Sequence, residues 1–515
     1  MKNRELDGAW DYHNRTKHSF YSIRTNPHFM DWDNQPLPFK IYSTLDPVPI
    51  PQDLSSSGMP ALTAISSTGL KQDGQPIINK QILAEIFHLS AGVTKRKTNP
   101  GGEILFRAAA CTGALYHIDL YLICGELSDL AAGVYHFGPH DFSLRKLRSG
   151  DYRSVVIDAS GQEPAVASAP ATLVCASTYW RNSWKYQARA YRHCYWDNGT
   201  ILANLLAVTA ARSVKSRVII GFVDKAINEL LGLDPEREGA LTLVPLGDTA
   251  PTAPAPSPEM EPLHLETMPL SKKEVDYPAI RAMHTASSLD SQEEVIAWRK
   301  QSAAGGQAGT TRKPKGRFVP LQPLPDQDMP GDTIEQVIMR RGSTRQFSQE
   351  TISFAQLSTM LKQATGSIPG DFSDGSTLIE HYLIVNAVDD LSPGAYVFHR
   401  DTLGLELIKE GNFRRDAGHL GLGQEIPADA SVDVFSLADL RVILERFGNR
   451  GYRAAQLEAS ITGGKLYLSA YAQRLGASGL TFFDDDVTEF FSPHAAGKSV
   501  MFLVALGKIV RRTRK

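Results

Sequence analysis

Short apolar, β-branched runs alternate along this chain with longer stretches that carry apolar residues at helical spacing. The helical spacing predicts helices over Ile201–Arg212, Asp332–Met339 and Lys465–Leu475. Helices that flank such strands indicate an α/β or α+β architecture. The short runs predict strands at Ile118–Cys124, Ala171–Ser177, Leu241–Leu246, Ile379–Val385, Val432–Leu437 and Val500–Leu506.

The same pattern occurs twice, at a constant shift of 261 residues, the distance from Gly133 to Gly394. A period of this length indicates a duplicated domain and not a solenoid, whose repeats are about 20–50 residues long. The matched landmarks are Gly133–Phe137 with Gly394–Phe398, Arg189–Arg192 with Arg450–Arg453, Phe222 with Phe483, and Asp224 with Asp485.

The repeat divides the chain of 515 residues into four parts. We expect an extended N-terminal arm over 1–60, a first domain over 61–248 and a second domain over 331–515. Between the domains, 249–330 is rich in Pro, Ala and Gly and predicts a linker with one short helix. Two domains of about 200 residues fit the usual domain size.

Composition narrows the choice of partners and compartment. The net charge of −2 gives no reason to expect nucleic acid or an anionic membrane as partner. No apolar run of about 18 residues predicts a membrane span, and the polar first residues lack the core of a signal peptide. The four cysteines have no metal-binding spacing. We therefore expect a cytoplasmic protein with reduced thiols and no metal site.

The residues that could bind a ligand or take part in catalysis differ between the two copies. The second copy holds an Arg-Arg-Gly-Ser-Thr-Arg cluster, a small-residue loop and a basic tail, and such a cluster can bind phosphate. A solvated basic patch is the structural alternative. These candidate residues are Arg340, Arg341, Ser343 and Arg345 in the cluster, Ser478, Gly479 and Leu480 in the loop, and Arg511 and Arg512 in the tail.

The first copy holds the complementary features. A small-residue segment precedes a strand and lets the backbone approach a flat ligand, although a simple tight turn is the alternative. Its residues are Cys111, Thr112, Gly113, Ala114 and Leu115. Lys185 and Tyr186 form a pair that can take a proton, and the second copy has Phe447 where Tyr186 stands. Arg189 and Arg192 recur in both copies, which favours a structural role.

Taken together, these segments resemble the nitroreductase-like FMN oxidoreductases, in particular the SagB-type dehydrogenase (azoline oxidase) branch. The resemblance is strongest over Gly113–Arg192 and covers most of both copies. It implies an α+β chain of two tandem nitroreductase-like domains that form an intramolecular pseudodimer. It also implies that FMN binds at the interface, held through its phosphate by the second copy and contacted by the small-residue segment of the first copy.

The resemblance further implies one site per chain, because the opposite interface has lost each element. That second site would need Ser66–Lys71, Asp374 and Val218 in place of the arginine cluster, Gly113 and Gly479. The implied reaction oxidises an azoline in a peptide or carrier-bound intermediate by hydride transfer to flavin, with Lys185 or Tyr186 taking the proton and other biosynthetic enzymes as partners. An NAD(P)H-dependent nitro or quinone reductase and a flavin-free scaffold remain as alternatives.

Overall fold

The structure is a computed structural model that describes residues 2–25, 27–68, 74, 76–99, 102–248, 254, 256–303, 314–373 and 375–510. The predicted strands and helices are all present, but the two long helices begin well before their predicted starts, at Ala190 and not Ile201, and at Arg450 and not Lys465. The other ends differ by a few residues. The α-helices are α1 (Asp7–Arg15), α2 (Phe20–Thr25), α3 (Ala61–Ser66), α4 (Lys80–Ala91), α5 (Arg153–Ala159), α6 (Pro164–Ala167), α7 (Tyr179–Tyr186), α8 (Ala190–Ala211), α9 (Asp224–Leu231), α10 (Pro278–Ala286), α11 (Gln292–Ala303), α12 (Ile334–Arg340), α13 (Phe354–Ala364), α14 (Arg414–Leu420), α15 (Glu425–Asp429), α16 (Leu440–Phe447), α17 (Arg450–Ala472) and α18 (Asp484–Phe490).

Each copy has its own mainly antiparallel sheet. The strand order is β1-β6-β5-β4-β7-β8 in the first copy and β9-β12-β11-β10-β13-β15-β14 in the second, so six strands correspond one to one. A separate hairpin, β2-β3, projects from the first copy. The strands are β1 (Pro47–Pro49), β2 (Val93–Asn99), β3 (Gly102–Arg107), β4 (Ile118–Cys124), β5 (Gly133–Gly138), β6 (Ser143–Ser149), β7 (Ala171–Thr178), β8 (Glu238–Leu246), β9 (Phe318–Pro320), β10 (Glu380–Val385), β11 (Gly394–His399), β12 (Gly404–Glu410), β13 (Val432–Ala438), β14 (Gly476–Leu480) and β15 (Ser499–Gly507).

The long helices α8 and α17 pack against each other and join the two copies. Nearly every residue of both helices is buried, which explains why neither has a polar face. The helices approach closely because Gly464 lacks a side chain. A Cβ at Gly464 would lie 2.5 Å from the Cβ of Ala203. The interface between the copies is therefore the centre of the molecule.

The arginines that recur in both copies tie the copies together. In α17, Arg450 and Arg453 donate to the Asp224 carboxylate of the first copy at 2.6 and 2.7 Å. Burial alone would raise the pKa of Asp224, but the two guanidiniums outweigh it and lower the pKa to about 2. The structural role expected for these arginines is thus visible as a buried ion cluster that bridges the copies.

An equivalent ion cluster joins Arg189 and Arg192 of the first copy to Asp484 of the second, at 3.0 and 2.6 Å. Asp484, and not the predicted Asp485, is therefore the counterpart of Asp224. The shift falls from 261 to 260 residues here, since Arg189 also lies over the Phe482 ring as Arg450 lies over that of Phe222. The pairing of Phe222 with Phe483 and of Asp224 with Asp485 in the sequence concealed this change of one residue in the shift.

The N-terminal arm and the linker are also equivalent to each other. Arg192 donates to the His13 carbonyl at 2.7 Å, and Arg453 donates in the same way to the His284 carbonyl at 2.8 Å. The arm carries helices α1 and α2, so it is not wholly extended as predicted, and the linker carries two helices, α10 and α11, instead of one. Each copy is therefore preceded by a helix that packs into the interface.

Among the described residues, no helix combines the length and the apolar character that a membrane crossing requires.

Candidate active site

A cavity of about 980 Å³ lies between the two copies, and we call it the open cleft. Residues from both copies and from the N-terminal arm form its wall. Nine of the candidate site residues predicted from the sequence line it. They are Cys111, Thr112, Gly113, Lys185 and Tyr186 from the first copy, and Ser343, Arg345, Gly479 and Leu480 from the second.

The small-residue segment of the first copy is fixed by one buried carboxylate on α8. Asp197 accepts hydrogen bonds from the Thr112 amide at 2.9 Å, the Thr112 hydroxyl at 2.7 Å and the Cys111 thiol at 3.0 Å. Burial, followed by the Asp197 charge, raises the pKa of the Cys111 thiol well above its usual range. Cys111 is therefore a protonated thiol that anchors the turn, and it does not supply a thiolate.

Gly113 is the residue that this turn requires. Its φ is +66°, in the left-handed region, and a Cβ there would lie 2.8 Å from the Tyr186 hydroxyl. Any larger residue would collide with Tyr186 and strain the backbone. The segment thus brings bare backbone to the wall of the open cleft beside Tyr186.

Lys185 and Tyr186 end helix α7, and the Lys185 amine lies 5.5 Å from the centre of the Tyr186 ring. Burial, followed by the Asp197 charge, raises the pKa of Tyr186, so its phenol is protonated at neutral pH. The His193 ring packs edge-on against Tyr186 with centroids 4.6 Å apart. His193 Nδ1 pairs with the Asn182 side chain at 2.8 Å, which fixes the ring beside Tyr186.

The wall from the second copy carries cationic and hydroxyl groups. Arg345 is exposed and has no ion pair or hydrogen bond with any described residue. Ser343 lies 3.4 Å from the Tyr467 hydroxyl, which also accepts a hydrogen bond from the Gly479 amide. The Thr481 hydroxyl is buried without a partner in the described part of the chain. These groups can bind an anion and further polar atoms of a ligand.

Five of the predicted residues lie near the open cleft without lining it. Arg340 is paired with Asp332 at 2.8 Å and also donates to the Tyr471 carbonyl. Arg341 donates to the carbonyls of Ala108 and Arg107, at 2.9 and 3.1 Å, so it holds the first copy's segment in place. The other three are Ala114, Leu115 and Ser478. Arg511 and Arg512 lie outside the described residues.

The opposite interface, which we call the closed cleft, is sealed by backbone pairing. The Val218 amide donates to the Pro369 carbonyl at 2.8 Å, and Val218 forms a parallel bridge with Gly370. The Asp371 carboxylate accepts from the amides of Ile220 and Gly221 at 2.9 and 2.8 Å. Ala110 and Gly479, the counterparts of Asp371 and Val218, line the open cleft instead.

Helix α11 of the linker completes the closed cleft. The Trp298 indole donates to the Phe447 carbonyl at 3.0 Å, and the two rings are 5.6 Å apart. Trp298 is 1% exposed. Since Phe447 replaces Tyr186 in this copy, an indole packs beside the position where the open cleft has a phenol.

Several residues that line the open cleft were missed in the sequence. Tyr467, His193 and Asp197 all line it, and their counterparts at the constant shift are Leu206, Ala454 and Glu458. A search for polar residues present in only one copy would have found the first two. The arm residues at 15–18, 21–23, 25 and 27–28 also line the cleft, and no motif marked them. No group of three or more potential metal ligands occurs in the part of the chain that the structure describes.

Comparison with known proteins identifies the fold. The chain superposes over 98% of its length on 99% of a crystal structure described as a "putative nitroreductase" from Anabaena variabilis, with 25% identity and a TM-score of 0.76. The match includes both copies. The expected nitroreductase-like fold is therefore confirmed.

Two further likenesses are more partial. Over 165 residues, or 32% of this chain and 78% of its own length, "Putative nitroreductase MJ1384" of Methanocaldococcus jannaschii is 23% identical. A chain of the E. coli microcin synthetase McbBCD complex with truncated pro-MccB17 covers 47% of this chain at a TM-score of 0.30, which is too low to bear on function. No family model matches the chain.

Proposed function

We propose that this protein is an FMN-dependent oxidoreductase with one working site per chain, the open cleft. The observation that carries the proposal is the convergence of complementary residues on one cavity. Arg345, Ser343 and Gly479 come from the second copy, and Gly113 and Tyr186 come from the first. The likeness to proteins described as nitroreductases supports the same class of chemistry.

The residues of the open cleft fit FMN. Arg345 and Ser343 would hold the phosphate, since Arg345 has no other partner among the described residues. The backbone around Gly113 would lie against the flat ring, and the unpartnered Thr481 hydroxyl offers a further hydrogen bond. When bound, the flavin accepts a hydride from the substrate.

The substrate that we propose is an azoline ring in a peptide or carrier-bound intermediate, as the sequence resemblance implies. Its oxidation to the aromatic azole removes a hydride and a proton, and O2 takes both electrons and is reduced to hydrogen peroxide. Tyr186 is protonated, so it donates a hydrogen bond to the ring and cannot itself store another proton. Lys185 is the proton acceptor in this proposal, because its amine lies at the wall of the open cleft, 5.5 Å from the centre of the Tyr186 ring.

The test begins with the absorbance spectrum of the purified protein and the amount of flavin per chain. We expect yellow protein with a ratio near one. A ratio near two would contradict the single-site proposal, and colourless protein that cannot be reconstituted with FMN would favour the scaffold alternative. Turnover of a model thiazoline with release of hydrogen peroxide then tests the reaction.

The second candidate function is an NAD(P)H-dependent nitro or quinone reductase, which the descriptions of the two relatives favour. Stopped-flow mixing with NADPH distinguishes the two functions. Rapid bleaching of the flavin absorbance by NADPH, without turnover of the thiazoline, would favour the reductase.

A further inference from the structure

Exposed aromatic side chains are concentrated in one segment of the N-terminal arm. Among the described residues, the large aromatic side chains that are exposed are Phe20 (53%), Tyr21 (76%), Phe29 (85%) and Trp32 (63%), which we call the aromatic strip. Exposed apolar residues are ordinary when they occur singly, but the four exposed aromatic residues between Phe20 and Trp32 make this stretch a candidate interaction surface. The strip therefore requires an explanation that isolated surface residues do not.

The aromatic strip borders the open cleft. Tyr21 belongs both to the strip and to the wall of the cavity, and the neighbouring residues Ile23, Pro27 and His28 also line the wall. A molecule that fills the cavity and extends beyond it at this edge would meet the strip. The position links the strip to whatever binds in the cleft.

The strip is held in place by the helix that carries the proposed catalytic pair. The Trp184 indole donates to the Asp31 carbonyl at 3.0 Å, and the Trp184 carbonyl pairs with His28 at 2.8 Å. The Trp32 ring packs edge-on against the Trp184 ring, with centroids 5.3 Å apart. Trp184 directly precedes Lys185, so the Trp32 end of the strip has a fixed position relative to the proposed catalytic pair.

The linker segment at the closed cleft, helix α11, packs its apolar side chains against the rest of the protein. Helix α11 buries Val295 and Trp298 completely. By contrast, helix α2 buries none of its residues. Because the protein itself covers the apolar side chains at the closed cleft and leaves those at the open cleft exposed, the strip is available to an external partner.

The size of the cleft and the charge of the segment indicate which partner. A cavity of about 980 Å³ is near the upper end for a single ligand (about 300–1,000 Å³), and here it must hold both flavin and the reacting ring. The rest of a larger substrate must lie at the mouth. From Phe20 to Trp32 the segment has one arginine, Arg24, and one acidic residue, Asp31, so these charges balance, and the Arg24 guanidinium lies 4.0 Å from the centre of the Phe20 ring. Uncharged apolar side chains suit such a surface.

We propose that the aromatic strip binds the apolar side chains that flank the reacting ring of a peptide substrate. The inference rests on the proposed function and adds the part of the substrate that remains outside the cavity. The N-terminal arm would then have two roles. Helix α1 packs into the interface between the copies, and the aromatic strip selects peptides with apolar residues next to the azoline.

The test compares two probes on the FMN-loaded full chain. One probe is a small thiazoline carboxamide, and the other is a longer peptide that carries the same thiazoline between leucine and phenylalanine residues. The variant is Phe20→Ser with Phe29→Ser, two strip residues that do not line the cavity. The control is Ile77→Ser, which removes an apolar side chain that is 74% exposed and does not line the open cleft.

We expect the double variant to raise KM for the peptide about tenfold and to leave kcat and the KM for the small probe unchanged. The control should change neither. An unchanged ratio of the two KM values would overturn the inference. So would a wild-type dimer in solution that the double variant dissociates, or binding of the strip to anionic phospholipid vesicles.

A direct binding measurement separates this inference from the proposed function. Fluorescence anisotropy follows a labelled peptide in which a thiazole replaces the thiazoline, so that no turnover is needed. Weaker binding to the double variant supports the strip even if neither thiazoline is oxidised, a result that would refute only the proposed reaction. Equal binding to the wild type and the variant overturns the inference.

Discussion

The open and closed clefts share one backbone plan and differ in a few side chains. At the open cleft, Ala110 faces Gly479 across a cavity. At the closed cleft, Asp371 and Val218 occupy the same positions, and their hydrogen bonds draw the two segments together. The comparison indicates that small residues at these two positions leave the cleft open, whereas the Asp371 carboxylate, the backbone pairing of Val218 and helix α11 together close its counterpart.

The largest expected effect comes from placing a carboxylate at Ala110, the position in the open cleft that corresponds to Asp371. We expect Ala110→Asp to raise the Kd for FMN at least a hundredfold (about 2.7 kcal/mol or more). The new carboxylate would accept hydrogen bonds from backbone amides across the cleft, as Asp371 does at the closed cleft, and its charge would repel the FMN phosphate. Flavin content and fluorescence titration measure the effect, while thermal unfolding checks the fold. Ala110→Ser should retain FMN. Wild-type flavin content in Ala110→Asp would refute this account of closure.

The proposed catalytic pair gives the next largest effect. We expect Lys185→Ala to keep FMN and lower kcat by about 10²–10⁴-fold, the usual range for loss of a proton-transfer group. Tyr186→Phe should also keep FMN and lower kcat by about tenfold, the value of one hydrogen bond. Steady-state turnover of the model thiazoline measures it. Arg446→Ala, the matched change beside the closed cleft, should leave kcat unchanged. If both first-copy variants turn over at the wild-type rate, the pair has no part in the reaction.

The arginine cluster tests which guanidinium faces the ligand. We expect Arg345→Ala to raise the Kd for FMN about 10–100-fold, the value of a charge-assisted hydrogen bond. Arg340→Ala should change this Kd by less than about threefold, because Arg340 is already paired with Asp332. Titration of the apoprotein with FMN measures both. The opposite order would show that the phosphate lies nearer to Arg340.

The last effect bears on acid stability, and not on FMN binding or turnover, at the ion cluster that joins Asp224 to Arg450 and Arg453. The Asp224 pKa is about 2 in the folded chain against about 3.9 unfolded, so the carboxylate stabilises the fold above pH 4. We expect about 2–3 kcal/mol of this stabilisation to disappear as the pH falls from about 5 to about 1. Urea unfolding at several pH values measures it, and Asp224→Asn should flatten the profile while it retains bound FMN. A profile as steep in the variant would assign the acid sensitivity elsewhere.

Much of the site could be read from the sequence because duplication supplies an internal control. Residues that matter in only one cleft differ between copies, and Tyr186 and Phe447 are an example. The same comparison did not show that Arg340 and Arg341 face protein partners, since an arginine that bonds a carbonyl looks identical in sequence to one that binds phosphate. Asp371 also escaped notice, because closure depends on backbone amides that no motif records.

The N-terminal arm differs most from its prediction, because it is structurally equivalent to the linker. Its equivalence to the linker depends on two carbonyl oxygens, at His13 and His284, that accept from matched arginines. Backbone acceptors leave no pattern in the sequence, and the flanking side chains differ. For the same reason, the arm's place at the wall of the open cleft could not be predicted from its polar and aromatic composition.

The joining of both copies in one chain has a consequence for behaviour on dilution. A site shared between two separate subunits comes apart when the protein concentration falls below the dimer dissociation constant. Here α8 and α17 belong to the same polypeptide, so assembly of the open cleft is unimolecular and independent of concentration. With FMN in excess, specific activity should therefore stay constant from micromolar to nanomolar protein, because dilution does not separate the two walls of the open cleft.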